Sequence, residues 1–370
     1  MKILQLTYSL SSGGAEHFVV DLCNQLSLNK NNEVYLLTLC NDNIPKNRHY
    51  YNELSCDIHY INIGAKSGFT WKSFIMIYKI IRKIKPDIVH AHFSIILLYF
   101  VSLFLQKPIY FHTQHNLPSA CLRFKAQKYI NLFFFKRKYI YPITISKECH
   151  KEFYKIYNFN YDVQIDNGRS PVIPTKDFDS VKKEINTYKL SKEDKVFVHI
   201  ARYAPQKNQK MLFDSFGRLI NDGFNIQLIV IGAGYDNENI SRLFEQNSRV
   251  HILGEKTNVG DYLLNADFFV LTSLYEGLPL TLLEAMSVGC IPICTPVGGI
   301  VDVIENYITG YLSKSVKADD FYFLIKEILQ GRNTIDKKTI ISKYNEKFSM
   351  KQCSKKYYDL FISKLNNKKS

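Results

Sequence analysis

The sequence predicts an α/β protein built from two doubly wound domains. Three observations carry this. Short apolar runs alternate with segments of helical period, the arrangement of a parallel sheet with helices on both faces. The alternation stops in a polar stretch holding Gly168, Pro171 and Pro174, then restarts. The length, 370 residues, suits two domains of ordinary size with ample core.

In the first half, residues 2–7 read as a short apolar strand. The turn Ser11-Ser12-Gly13-Gly14 then opens a helix reaching Asn29, and 34–40 form the next strand. Residues 58–63 give a further strand, 74–84 a helix, 87–92 a strand and 95–105 a helix. Strands at 108–112 and 143–146 complete the domain, which spans 1–170. Residues 171–190 read as the linker and 191–348 as the second domain. Its strands fall at 195–201, 227–231, 250–253, 268–271 and 291–294. An amphipathic helix in 349–370 closes the chain and is expected to cross back to the first domain. Two such domains facing each other leave a cleft at the carboxyl ends of both sheets, where ligands bind.

Hydrophobic content of 46% with 22% charged residues is that of a water-soluble globular protein. The eight cysteines are scattered through apolar runs and complete no zinc spacing, so reduced thiols and a cytoplasmic protein are expected. The opening MKILQLTYS is too short and too broken by Gln5 and Thr7 to read as a signal peptide. The uncharged run 88–106 approaches the length of a membrane span. Its His90, His92, Ser94, Ser102 and Gln106 argue instead for a strand end followed by a buried helix.

The net charge is +14 and unevenly spread: residues 101–150 hold eight Lys or Arg against Glu148 alone, a net of +7. Between 122 and 141 these bases interleave with aromatics, as in an ordinary amphipathic surface helix or in a segment lying on an anionic membrane. No nucleic-acid motif accompanies the charge, so nucleic acid is not an expected partner.

The most informative stretch is 272–299, TSLYEGLPLTLLEAMSVGCIPICTPVGG. A strand end leads to a turn at Glu276-Gly277, then to a helix opened by Pro279 and closed by Gly289. Glu276 lies in the turn, while Glu284 lies inside the helix among Leu282, Leu283, Ala285 and Met286. A carboxylate in so apolar a run is costly to bury without a specific polar contact. A helix start with free backbone N–H groups, flanked by two acids, suits a ligand that has both phosphates and hydroxyls.

Taken together these segments resemble the retaining glycosyltransferases of family 4, which have the GT-B fold of two facing Rossmann-like domains. The likeness runs along nearly the whole chain and is strongest at 273–286, where Glu276 and Glu284 form the family's Glu-x7-Glu pair within EGLP and EAM. It implies that Glu284 holds the ribose hydroxyls of a nucleotide-sugar. Glu276 would face the transferred sugar and stabilise charge at its anomeric carbon, with Gly277, Leu278, Leu280 and Thr281 also at the donor. Eight residues of helix span about 12 Å, the scale of such a ligand.

The loop His199-Ile200-Ala201-Arg202…Lys207-Asn208 resembles the family's Gly-Arg…Lys-Asn loop, with Ala201 in place of the glycine. There Arg202 and Lys207 would clasp the diphosphate and neutralise the leaving group. Gly13 and Gly14 resemble the glycine loop that approaches the phosphates from the other domain. His115 matches the family's histidine at the cleft, and Gly254 and Lys256 lie where relatives cradle the base.

His90, His92, His112 and His115 crowd one region, but strand-end histidines without nearby acids more often pack or touch substrate than hold metal. Asp177-Phe178-Asp179 matches the Asp-x-Asp metal motif of the other glycosyltransferase fold only by coincidence, since it lies in the linker. The resemblance implies no cofactor and no obligatory metal.

The expected reaction is transfer of a sugar from a nucleotide-sugar, a UDP-hexose or UDP-N-acetylhexosamine by default, with retention of configuration and the diphosphate taking the acceptor's proton. The acceptor would be a glycan hydroxyl held by the first domain. The basic segment suggests a lipid-linked acceptor presented at the inner face of the plasma membrane, as in capsule or O-antigen assembly. The rivals are a nucleotide-sugar epimerase, separable by isomerisation of a lone nucleotide-sugar, and a non-catalytic scaffold, which the intact site residues oppose.

Overall fold

A computed structural model describes residues 1–65, 70–93, 96–122, 124–235, 247–332 and 335–369. The chain divides into two compact units, one of Met1–Arg169 with Met350–Ser370 and one of Ser170–Ser349.

The first unit is a seven-stranded parallel sheet. Its strands are β1 (Lys2–Thr7), β2 (Glu33–Cys40), β3 (His59–Ala65), β4 (Ile88–Ala91), β5 (Ile109–Gln114), β6 (Tyr141–Thr144) and β7 (Val163–Gln164), in the order β3-β2-β1-β4-β5-β6-β7. The intervening helices are α1 (Gly14–Ser27), α2 (Trp71–Ile84), α3 (Ile96–Phe104), α4 (Gln127–Lys136) and α5 (Lys147–Tyr157). Helix α2 starts three residues before its apolar period because Thr70 caps it, its side chain accepting from Ser73 N at 3.1 Å.

The two faces of this sheet differ in chemistry. Gln5 pairs with His90 and His90 with Phe111, so these residues and those two positions on share a face. That face is polar: Gln5, Thr7, His90 and Thr113 are all buried. The opposite face presents Leu4, Leu6, Val89, Ala91 and Tyr110 to one continuous apolar core. The polar side carries the last helix of the chain, from Met350 to Lys369, whose Tyr357 hydroxyl lies 3.0 Å from Thr113 Oγ1 and whose Phe361 ring lies 4.9 Å from Phe111.

The second unit has a six-stranded parallel sheet. It comprises β8 (Lys195–Ile200), β9 (Ile226–Ile231), β10 (Val250–Ile252), β11 (Phe268–Leu271), β12 (Ile291–Cys294) and β13 (Tyr311–Leu312), ordered β10-β9-β8-β11-β12-β13. Its helices are α6 (Phe178–Tyr188), α7 (Gln209–Asn221), α8 (Val259–Leu264), α9 (Leu280–Ser287), α10 (Ile300–Val303), α11 (Ala318–Glu327) and α12 (Lys337–Lys343), so the closing helix is α13.

The structure corrects two details. Residues 171–190 are not plain linker, since α6 forms within them and buries Val181 and Ile185 one turn apart. As expected, the run 88–106 forms a strand and then a helix, β4 and the nine-residue α3. Among the described residues no helix is long and apolar enough to cross a membrane. The 122–141 segment is not one helix: α4 covers only 127–136 and buries Gln127, Asn131, Phe134 and Phe135. Ile95, the expected start of α3, and Arg123 in the basic segment lie outside the described residues.

Candidate active site

Most of the second unit's expected site residues follow the carboxyl ends of its strands. Arg202 and Lys207 lie beyond β8, Gly254 and Lys256 beyond β10, and Glu276 and Gly277 beyond β11. In a doubly wound sheet this is where ligands bind.

The β8 loop is braced from below. Gln209, buried at the start of α7, donates through Nε2 to Arg202 O at 2.9 Å and to the Tyr235 hydroxyl at 3.1 Å. A short 3-10 turn, Pro205–Lys207, then brings Lys207 round, and Asn208 enters α7 with a left-handed φ of 50°. Beneath it His199 Nδ1–H donates to Val270 O at 2.9 Å, and burial pushes that imidazole down to about 4, so it stays neutral.

The β8 and β11 loops are tied together by both backbone and side chain. Leu274 N donates to Gln206 O at 2.8 Å, and Thr272 Oγ1 to Lys207 O at 2.9 Å. Gln206 Nε2 donates to Tyr275 O at 2.9 Å. At the centre sits Glu276, 6% exposed. Its Oε1 takes Lys207 Nζ and Ser273 Oγ, each at 2.5 Å. The family resemblance implies phosphate for Lys207 and sugar for Glu276, and the structure places the two in direct contact. Such a pair presents a cation and a carboxylate side by side, able to meet a phosphate and a hydroxyl one step apart. Arg202 is exposed, and its guanidinium has no ion pair among the described residues.

The Glu276-Gly277 turn lies directly on Gly298 and Gly299. A Cβ on Gly298, whose φ is 52°, would stand 1.9 Å from Glu276 O; on Gly299 it would stand 2.1 Å from Gly277 O. These glycines are the part of the site that sequence reasoning noted as motif but gave no role. Ser273, Gln206 and Gln209 it missed as supports: the partners of Gln206 are distant in the chain, and Ser273 and Gln209 act on nearby residues of irregular loops that carry no period.

Helix α9 starts at Leu280 after Pro279 in extended backbone, leaving its first-turn N–H groups, Thr281 included, without intrahelical partners. Leu278 and Leu280 are buried against the unit, and Glu284 is 6% exposed inside the helix. Gly254 takes a left-handed φ of 65° and its carbonyl accepts from Gly232 N at 2.8 Å; Lys256 beside it is exposed.

The first unit holds the other three. Gly13 precedes α1 in extended backbone, and the Glu16 carboxylate lies where a Cβ on it would stand, 2.3 Å away. Gly14 is exposed at the first helical position. His115 lies just past β5, its ring edge-on to Phe18 of α1 at 5.0 Å. His115 Nε2 is 3.0 Å from His92 Nδ1, and His92 Nε2 is 2.6 Å from Gln5 Oε1. His90 pairs with Thr113 at 2.7 Å, while His112 points to the other face and meets the Tyr99 hydroxyl at 2.7 Å. Among the described residues no group of three or more His, Cys, Asp or Glu is placed to hold a metal ion. Asp177 and Asp179 are exposed at the start of α6, a favourable end for acids.

Two family models match the chain: Glycosyltransferase Family 4 over residues 12–157 and Glycosyl transferases group 1 over residues 180–348. The chain is 28% identical over 228 residues to N-acetyl-alpha-D-glucosaminyl L-malate synthase of Bacillus anthracis, covering 59% of this chain and 57% of that enzyme, less than two thirds of its length. It is 26% identical over 319 residues to the UDP-Gal:alpha-D-GlcNAc-diphosphoundecaprenol alpha-1,3-galactosyltransferase of Escherichia coli, covering 80% of each. Among solved structures, Anabaena HepE in complex with UDP superposes with a TM-score of 0.79 at 15% identity, over 98% of this chain and all of that one.

Proposed function

The chain belongs to the family-4 glycosyltransferases of GT-B fold, and we propose that it moves a sugar from a uridine diphosphate donor to a hydroxyl of a lipid-linked glycan, with retention at the anomeric carbon. The observation that carries this is the Lys207–Glu276–Ser273 cluster beside Arg202 at the ends of β8 and β11. Two cations there neutralise the diphosphate as the glycosidic bond breaks, and Glu276 takes hydroxyls of the sugar. Glu284 holds the ribose. The carboxylate of the cluster is already paired with Lys207 rather than standing free as a nucleophile, which favours attack from the leaving-group face with the diphosphate oxygen accepting the proton. The protein then works by orientation and charge stabilisation, without a required metal.

Uridine is favoured by the nucleotide in the HepE complex and in the name of the galactosyltransferase, and a diphospholipid acceptor by the same name. A cell-envelope polysaccharide is the matching context. The first unit supports a membrane-presented acceptor, held at the cytoplasmic face. Exposed aromatics run across three successive helices, Trp71 on α2, Phe100 and Phe104 on α3, and Tyr129 and Phe133 on α4. Phe74 bridges Trp71 to Phe104, and Phe134 bridges Phe100 to Phe133. Exposed Lys72, Lys107, Lys136, Arg137 and Lys138 lie on or beside these helices, the mix that suits an anionic bilayer.

The deciding experiment offers a panel of nucleotide-sugars with a polyprenyl-diphosphate saccharide and reads the product's anomeric configuration by NMR. An inverted product removes the retaining assignment, and no transfer from any donor removes the proposal.

A further inference from the structure

The polar face of the first sheet ends in two imidazoles in series. His92 Nε2 lies 2.6 Å from Gln5 Oε1. An amide oxygen only accepts, so this nitrogen of His92 carries the proton. Burial, reinforced by the neighbouring His90, His115 and His112, holds His92 well below its ordinary range, so the ring is neutral. Its Nδ1 is therefore a bare lone pair, which needs a donor, and the atom facing it at 3.0 Å is His115 Nε2. That nitrogen must carry the proton of His115. Burial also pushes His115 down to about 3, so this second ring is neutral and its Nδ1 holds none. Nδ1 of His115 is shielded and has no partner among the described residues.

The direction of the chain is thus fixed at its far end, on β1. Phe18 at 5.0 Å and Phe93 at 6.0 Å hold the His115 ring in plane. A buried acceptor left without a donor is unfavourable. We propose that Gln5 and His92 are positioning residues that lock His115 as its Nε2–H tautomer, so that its Nδ1 can only accept a hydrogen bond, as from a substrate hydroxyl, and cannot donate one to a phosphate. The hydroxyl partner rests on the glycosyl-transfer reading; the tautomer does not.

The test is long-range proton–nitrogen NMR on the full chain labelled with 15N-histidine, without added substrate. Both His92 and His115 show the Nε2–H pattern. His92→Asn, whose amide oxygen stands where Nδ1 stood, keeps the His115 pattern, whereas His92→Phe lets it redistribute. In transfer assays His92→Phe lowers kcat about tenfold or more while the donor KM stays within about twofold, and His92→Asn restores most of the loss. Gln5→Glu, which still accepts from His92, keeps the wild-type pattern and serves if His92→Phe does not fold. An Nδ1–H signal on His115 in the wild type, as a reversed Gln5 amide would give, overturns the proposal. So does a His115 pattern unchanged in His92→Phe. Calorimetry with UDP on the same samples reports separately: absence of binding counts against the donor reading and leaves the tautomer result standing.

Discussion

Lys207 and Glu276 touch each other, so removing either affects both the site and its neighbour. Lys207→Ala or Glu284→Ala is expected to lower donor turnover at least about tenfold, some 1.4 kcal/mol of transition-state stabilisation. Wild-type kcat/KM in both variants would remove their assigned roles. Among the described residues, Lys207→Met also leaves the carboxylate of Glu276, 6% exposed, with only Ser273 and Gln206. The single variant should therefore lose stability, and the double variant with Glu276→Gln should regain it without regaining activity. Recovery of turnover in the double variant would contradict this. Glu276, Glu284, Arg202 and Lys207 were legible in sequence because their spacing about Pro279 and β8 is local. The contact between Lys207 and Glu276 was not legible, because it joins loops whose separation in the chain says nothing of their separation in space.

At the scale of elements, the β11 turn and the β12 loop are held by backbone touching backbone. Gly298→Ala places a methyl 1.9 Å from Glu276 O at a left-handed φ, where only a shift of the whole turn gives relief. A loss of about 2 kcal/mol or more is expected, seen as a lower urea midpoint, together with a fall in activity as Glu276 moves. A variant of unchanged stability and activity would show that the turn adapts freely. The strands were readable because they are short apolar runs ended by glycine or polar residues. β7 and β13 were not, because two residues carry no period. Helix α6 was hidden by the prolines just before it, although Val181 and Ile185 hold the helical spacing. The 122–141 segment misled in another way: a composition that suits one amphipathic helix contains turns at both ends of α4. Its surface role remains testable, since charge reversal at Lys136, Arg137 and Lys138 together should release the protein from anionic vesicles in flotation. Unchanged flotation would separate this segment from any membrane contact.

For the molecule as a whole, neutral buried histidines set an acid limit. Burial holds His112 and His199 at about 4 and His115 at about 3, with His90 and His92 also well below the usual range. A depressed histidine binds its proton in the unfolded chain first. Its contribution is therefore complete above the unfolded value near 6.5 and is lost as pH falls from there towards the folded value. Each such ring can contribute a slope of up to about 1.4 kcal/mol per pH unit in that window, so the urea midpoint should fall steeply between about pH 6.5 and 4. A flat profile there would show that the rings titrate normally. The two-sheet architecture was plain in the repeated alternation, but the polar underside of the first sheet was not. Alternation along β1, β4 and β5 shows which residues share a face, and says nothing of what covers it.

The first unit is completed by Met350–Ser370, in which Tyr357 and Phe361 of α13 close its polar face. During synthesis the second unit is therefore the first to have all of its own sequence. Once residue 349 has been added the sequence of Ser170–Ser349 is complete, while Met1–Arg169 still waits for its cover. A chain ending at 349 should yield to protease within its first 169 residues and resist within 170–349.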